Sequence, residues 1–89
     1  MKYEWDEAKN LVNIDKHGID FNDVHELFEG DKLVIPDDRQ DYGEKRMIAV
    51  GRIKGRLVVV VYTQRSETLR IISVRKANDR EKERFEKAV

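Results

Sequence analysis

The stretch from Arg56 to Lys76, RLVVVVYTQRSETLRIISVRK, carries Arg56, Arg65, Arg70, Arg75 and Lys76 against a single acid, Glu67. Guanidinium and ammonium groups held at fixed spacing are what phosphate recognition needs, and strands fix spacing well. The apolar runs Leu57–Tyr62 and Leu69–Val74 are rich in β-branched residues and flank a short polar turn. They read as a hairpin inside a sheet. Its register decides which cations act together. If Tyr62 faces Ile72, then Thr63, Arg65, Ser73 and Arg75 share a face. A slip of one residue instead groups Arg65 with Arg70 and Lys76. Cations at strand ends also occur simply to solvate a sheet edge. The scarcity of acids around these favours an anionic ligand.

Other candidate chemistry is sparse. His17 is an imidazole suited to general acid or base work. Its place beside Gly18 at a helix end also suits a plain capping role. His25 sits mid-helix beside Glu26 and reads as surface. The two histidines show no metal-ligand spacing, and there is no cysteine, so no metal site is expected. Asp37, Asp38 and Asp41 read as a solvated loop. No glycine-rich phosphate loop or nucleophilic serine pattern occurs. Tyr62 lies within the basic hairpin and can stack on a base or donate to phosphate. Tyr3 and Trp5 read as core.

The elements that position these groups follow in order. Lys2–Trp5 is a short alternating strand. Asp6 can cap a helix in which Ala8, Leu11, Val12 and Asp15 share one face, ended by Gly18 in the left-handed C′ position. Phe21, Val24, Leu27 and Phe28 give a second helix from about Asn22 to Phe28, stopped by Gly30, so a helical hairpin is expected. Leu33–Ile35 is a strand closed by Pro36, which suits an edge. Residues 37–44 form a loop, 46–53 the next strand, and Lys54-Gly55 a tight turn into the basic hairpin. Asn78 and Glu81 resemble a capping box opening a charged C-terminal helix anchored by Phe85. Strand, two helices, four strands and a helix make an α+β domain. The helices are expected to cluster on one sheet face, the other staying open, with the last helix loosely docked or docked on a partner.

The chain has 89 residues, and a single domain spanning 1–89 is expected. No apolar run is long enough to cross a bilayer, and the N-terminus is unlike a signal peptide, so a soluble, cytoplasmic protein is expected. The formal net charge is zero, yet residues 1–44 hold five Lys/Arg and thirteen Asp/Glu while 45–89 hold thirteen and five. The positive excess sits in 45–78. Such a split suits either an anionic partner for one side or mutual neutralisation of the halves across the fold.

The N-terminal YEWDEAKNLVNIDKHGIDF, followed by DYGEKRMIAVGRI, VVVVYTQR and LRIISVRKANDRE, resembles the BrnT-type toxins of type II toxin–antitoxin pairs. The pattern WDxxK…KHGxxF followed by YTxR…RIISxRKA covers nearly the whole chain in order. The resemblance implies a RelE/ParE-like fold and metal-independent ribonuclease activity that stops translation, without a cofactor. It also implies a DNA-binding antitoxin partner, with two toxins and two antitoxins assembling together and the complex binding its own operator. By the same resemblance, Arg65 and Arg75 contact the phosphate and the transition state, and His17 moves a proton. Lys9, Tyr62, Arg70 and Lys76 contact the RNA substrate. The competing expectation is a non-catalytic module of the same fold that binds a protein or nucleic acid. The juxtaposition of His17 with Arg65 and Arg75 is the feature that separates the two.

Overall fold

The computed structural model describes residues 1–39, 41 and 43–89. The expected loop over 37–44 contains Gln40 and Tyr42, which lie outside the described residues. Five strands form one mixed sheet: β1 (Lys2–Glu4), β2 (Lys32–Pro36), β3 (Met47–Ile53), β4 (Arg56–Arg65) and β5 (Thr68–Lys76). Their spatial order is β1-β5-β4-β3-β2, with β1 parallel to β5 and the other pairs antiparallel. The helices are α1 (Glu7–His17), α2 (Val24–Glu29) and α3 (Asp79–Ala88), with a 3-10 turn, Phe21–Asp23, leading into α2. The expected order of elements is therefore the observed one, and the second helix is a 3-10 turn continued by α2. The β4–β5 hairpin is central because its valines are buried on both faces. Val58, Val59 and Val60 have no measurable exposure.

Local chemistry starts and stops the helices where capping rules require. The Asp6 carboxylate accepts from the Ala8 and Lys9 N–H groups, and Gly18 adopts φ 68°, a left-handed conformation that glycine takes without penalty. Asn78 and Glu81 form a reciprocal capping box at the start of α3. Gly51 answers a different need. A Cβ there would lie 2.8 Å from Leu27 Cγ and 3.1 Å from the Asp31 carbonyl oxygen, so its absence lets α2 press onto β3.

The packing face of α1 departs from the pattern expected of it. Leu11 and Val12 are 61% and 64% exposed, whereas Asn10 and Asn13 are buried. Hydrogen bonds explain the reversal. Asn10 Oδ1 accepts from the buried Phe21 N–H at 2.8 Å, and its Nδ2 donates to Asp20 at 2.9 Å. Asn13 donates to the Ile19 carbonyl at 3.0 Å and accepts from the Val74 N–H at 3.5 Å. Because β1 pairs only with Thr68–Arg70, the later part of β5 needs another neighbour, and Asn13 supplies one. Buried backbone groups need partners, and here two amides provide them at positions a hydrophobic pattern assigns to water.

Two apolar clusters lie on the two sides of the sheet. The larger joins Ile19, Phe21, Val24 and Leu27 to Ala49, Ile53, Val58, Val60, Tyr62, Leu69, Ile71 and Val74, with Tyr3 and Trp5 packed against it. Tyr3 stacks on Phe28 and Trp5 meets Phe21 edge-on, in keeping with their expected core roles. The smaller joins Phe85 of α3 to Val50, Val59 and Ala77 on the opposite face. The expectation of helices on one face only is thus corrected. Phe85 is 2% exposed, and α3 is docked on the sheet rather than loosely attached.

Candidate functional site: an arginine face

Register assembles the site. In the β4–β5 ladder Val59 pairs with Arg75, Val61 with Ser73, Tyr62 with Ile71, Thr63 with Arg70 and Arg65 with Thr68. The pairing shifts between Val61 and Tyr62, leaving Ile72 as an extra residue on β5, a β-bulge. Directly paired residues share a face, and side chains alternate along β4. Thr63, Arg65, Arg70, Ser73 and Arg75 therefore share the face of Val59, on which α3 lies. Neither unbroken register considered from sequence is the observed one. The bulge merges their cations and leaves out Lys76, which pairs with Val58 toward the other side.

Arg65, Arg70 and Arg75 each meet a carboxylate. Arg75 donates through both terminal nitrogens to Glu81 at 2.8 Å each, a fork-to-fork contact. This bond holds the Glu81 carboxyl below its usual range, against the opposing effect of burial, and raises the Arg75 guanidinium further. Arg65 lies 3.4 Å from Glu44, and Arg70 lies 3.9 Å from Glu4. Thr63 is buried, and its hydroxyl donates to the Lys45 carbonyl at 2.9 Å. Its hydroxyl thus holds the approach to β3. The sequence singled out Glu81 only as a helix cap. Glu4 and Glu44 carried no signal, because nothing in a linear chain shows that they meet Arg70 and Arg65.

The remaining expected site residues lie elsewhere. Tyr62 is 7% exposed and sits edge-on to Phe28, with ring centroids 5.0 Å apart, in the larger cluster. Burial raises its phenol above the usual range. It faces away from the arginines. His17 is half-buried at the end of α1, next to Gly18, whose carbonyl accepts from Arg56 at 3.5 Å. Arg65 is nine residues further along β4 from Arg56, a span of about 30 Å at the usual strand rise. The fold therefore places His17 and Arg65 at opposite ends of the sheet, and Arg75 turns toward α3. Lys9 is exposed in the first half of α1. Among the described residues one trio brings potential metal ligands together: Asp23, His25 and Glu26, with ligand atoms within 4.8 Å of one another. Their groups already have partners, since Asp23 meets Lys54, His25 meets Glu29, and Glu26 accepts from the Lys54 N–H.

Three guanidinium groups with hydroxyls and carboxylates on one sheet face define a small α+β protein with a cationic candidate site. Comparison with known families supplies the class. Residues 5–81 match the model of the ribonuclease toxin BrnT of type II toxin–antitoxin systems, and the chain belongs to that family. Membership implies a ribonuclease toxin with an antitoxin as its partner. No curated protein matches the chain significantly. Among the described residues, no helix is long and apolar enough to cross a membrane.

Proposed function

We propose that the chain is a metal-independent endoribonuclease of RelE/ParE-like fold that arrests translation by cutting RNA in the cytoplasm. The observation carrying this reading is the alignment of Arg65, Arg70 and Arg75 on one face through the bulge at Ile72, in a row about 20 Å long from Arg65 to the Val59–Arg75 pair. In such a reaction the 2′-hydroxyl attacks the adjacent phosphorus and the 5′-oxygen leaves. Fixed cations lower the barrier by meeting charge as it builds on the phosphoryl oxygens. Arg65 and Arg70 grip the phosphate, and Arg75, steadied by Glu81, fixes the inner end of the face. Glu4 and Glu44 lie within reach of Arg70 and Arg65, so they are the carboxylates placed to accept the 2′-hydroxyl proton. Lys9 and His17 on α1 contact RNA passing the β5 edge. The partner is a DNA-binding antitoxin that covers the toxin in a two-to-two complex and carries the pair to its operator.

The test is induced expression of the wild type, Arg70→Ala and Arg75→Ala, with growth and RNA integrity followed together. Wild type should arrest growth and fragment RNA, and both variants should lose at least about a hundredfold in cleavage, the scale of removing one charge-stabilising donor. Retained antitoxin binding shows that a variant is folded. Growth arrest with intact RNA would instead support a non-catalytic partner-binding module, which arginines already matched by carboxylates would also suit.

A further inference from the structure

At the end of the sheet far from Arg65, a notch of about 400 Å³ opens beside the β3–β4 turn. It is lined by Arg52, Arg56, Lys76 and Lys82, with Gly55, Leu57 and Ala77 completing the wall, and among the described residues no acid lines it. The four cations come from four elements: β3, β4, β5 and α3. All four are exposed. Among the described residues, none of the four meets a carboxylate. Arg56 reaches the Gly18 carbonyl, and Arg52 lies 5.2 Å above the Phe85 ring. This contrasts with Arg65, Arg70 and Arg75, each of which faces a carboxylate.

We propose that this notch is a second phosphodiester-binding subsite, which holds the RNA backbone away from the scissile bond. The proposal rests on the ribonuclease reading. A chain of zero net charge has little overall attraction for RNA, so local cations that face no carboxylate add most to its affinity. Four such cations flank the notch, Arg52 and Lys82 from the α3 side of the sheet end and Arg56 and Lys76 from the α1 side. Its distance from the reacting end is consistent with a separate contact, because Leu57 and Arg65 are eight strand residues apart, about 26 Å. Its wall favours a phosphate backbone over an acidic protein segment. Protein docking concentrates its energy in buried aromatic and aliphatic anchors, and Leu57 and Ala77 offer little of that kind. Exposed Lys and Arg that contact phosphate position the strand without reading its bases.

The test compares the full chain with the Arg56→Gln/Lys82→Gln double variant, which removes two charges and leaves the Arg52–Phe85 contact alone. The probe is a 2′-O-methyl RNA oligonucleotide, which lacks the attacking hydroxyl. Affinity is measured across salt concentration, and backbone amide shifts locate the contact. The variant should bind more weakly, with a salt slope reduced by about 1.4, because each single-strand contact contributes about 0.7. Its affinity deficit should therefore shrink about sevenfold between about 50 and 200 mM salt. In the wild type, Gly55 and Ala77 amides should shift on titration. Equal slopes for the two proteins would overturn the subsite, while wild-type cleavage of unmodified RNA would leave the ribonuclease reading standing. A wild type that neither binds nor cleaves RNA would remove both. A variant that keeps RNA affinity but loses antitoxin affinity would assign the notch to an acidic protein segment and overturn the proposal.

Discussion

Asn10→Ala should destabilise the domain more than Leu11→Ala, the reverse of the order their side chains suggest. Asn10 is 1% exposed, and its removal leaves the buried Phe21 N–H without its 2.8 Å acceptor. An unsatisfied buried donor costs about 1–3 kcal/mol. Losing the 2.9 Å bond to Asp20 adds about 0.5–1.5 kcal/mol. The expected total is roughly 2–4 kcal/mol. For a domain of this size each kcal/mol moves the melting midpoint by about 4–8 °C, so the drop should fall near 10–25 °C. Leu11, 61% exposed, should change stability by less than about 0.5 kcal/mol when truncated. Urea and thermal unfolding followed by circular dichroism measure both, with a constant urea slope as the control for an unaltered unfolded state. Asn10→Asp adds a second check, since it keeps an acceptor for Phe21 but faces the Asp20 carboxylate. That variant should regain stability on acidification. If Leu11→Ala costs about 2 kcal/mol or more and Asn10→Ala almost nothing, α1 packs by its aliphatic side and the polar docking described above is wrong.

Gly51→Ala should cost about 1–3 kcal/mol in denaturant melts, because the new methyl would press on Leu27 and the Asp31 carbonyl. Tyr62→Phe should leave RNA cleavage unchanged and stability nearly so, whereas Tyr62→Ala should lose about 3–5 kcal/mol as a core truncation. Acid should loosen α3. The Arg75 bond depresses the folded-state pKa of Glu81 below its ordinary 4.5, so its contribution is complete above that value and disappears as pH falls through the depressed one. Hydrogen exchange of α3 amides should show this loss in the wild type and not in Glu81→Gln, which should be less stable than the wild type at neutral pH. His17→Gln should reduce cleavage less than Arg70→Ala, and equal losses in single-turnover assays would join α1 to the reacting centre.

What could be read from the linear chain was whatever local chemistry decides. Asp6, Gly18 and Asn78 mark helix ends through hydrogen bonds that span two to four residues, and the β-branched runs identify β4 and β5. The failures have a common cause in longer-range satisfaction of polar groups. Leu11 and Val12 have the spacing of a buried stripe, but Asn10 and Asn13 win the interior because Phe21 and Val74 offer backbone donors that only the folded chain brings near. Phe85 looks too thin an anchor for α3 until the Arg75–Glu81 fork is added to it. The cations of the candidate site were visible as residue types. Their grouping was not, because LRIISVR can be threaded through a sheet with unbroken alternation and nothing in its composition marks Ile72 as supernumerary.

That supernumerary residue makes the arginine face a matter of parity. Arg70 and Arg75 are five positions apart, an odd interval that a regular strand would send to opposite sides. Ile72 turns the odd interval into an even one. The surface is thus encoded by the number of residues between two side chains as well as by their identity. Exchanging Ile72 for another side chain preserves the count. Deleting its single codon would keep every arginine in the sequence and still split the face in two, a loss that no inventory of site residues would reveal.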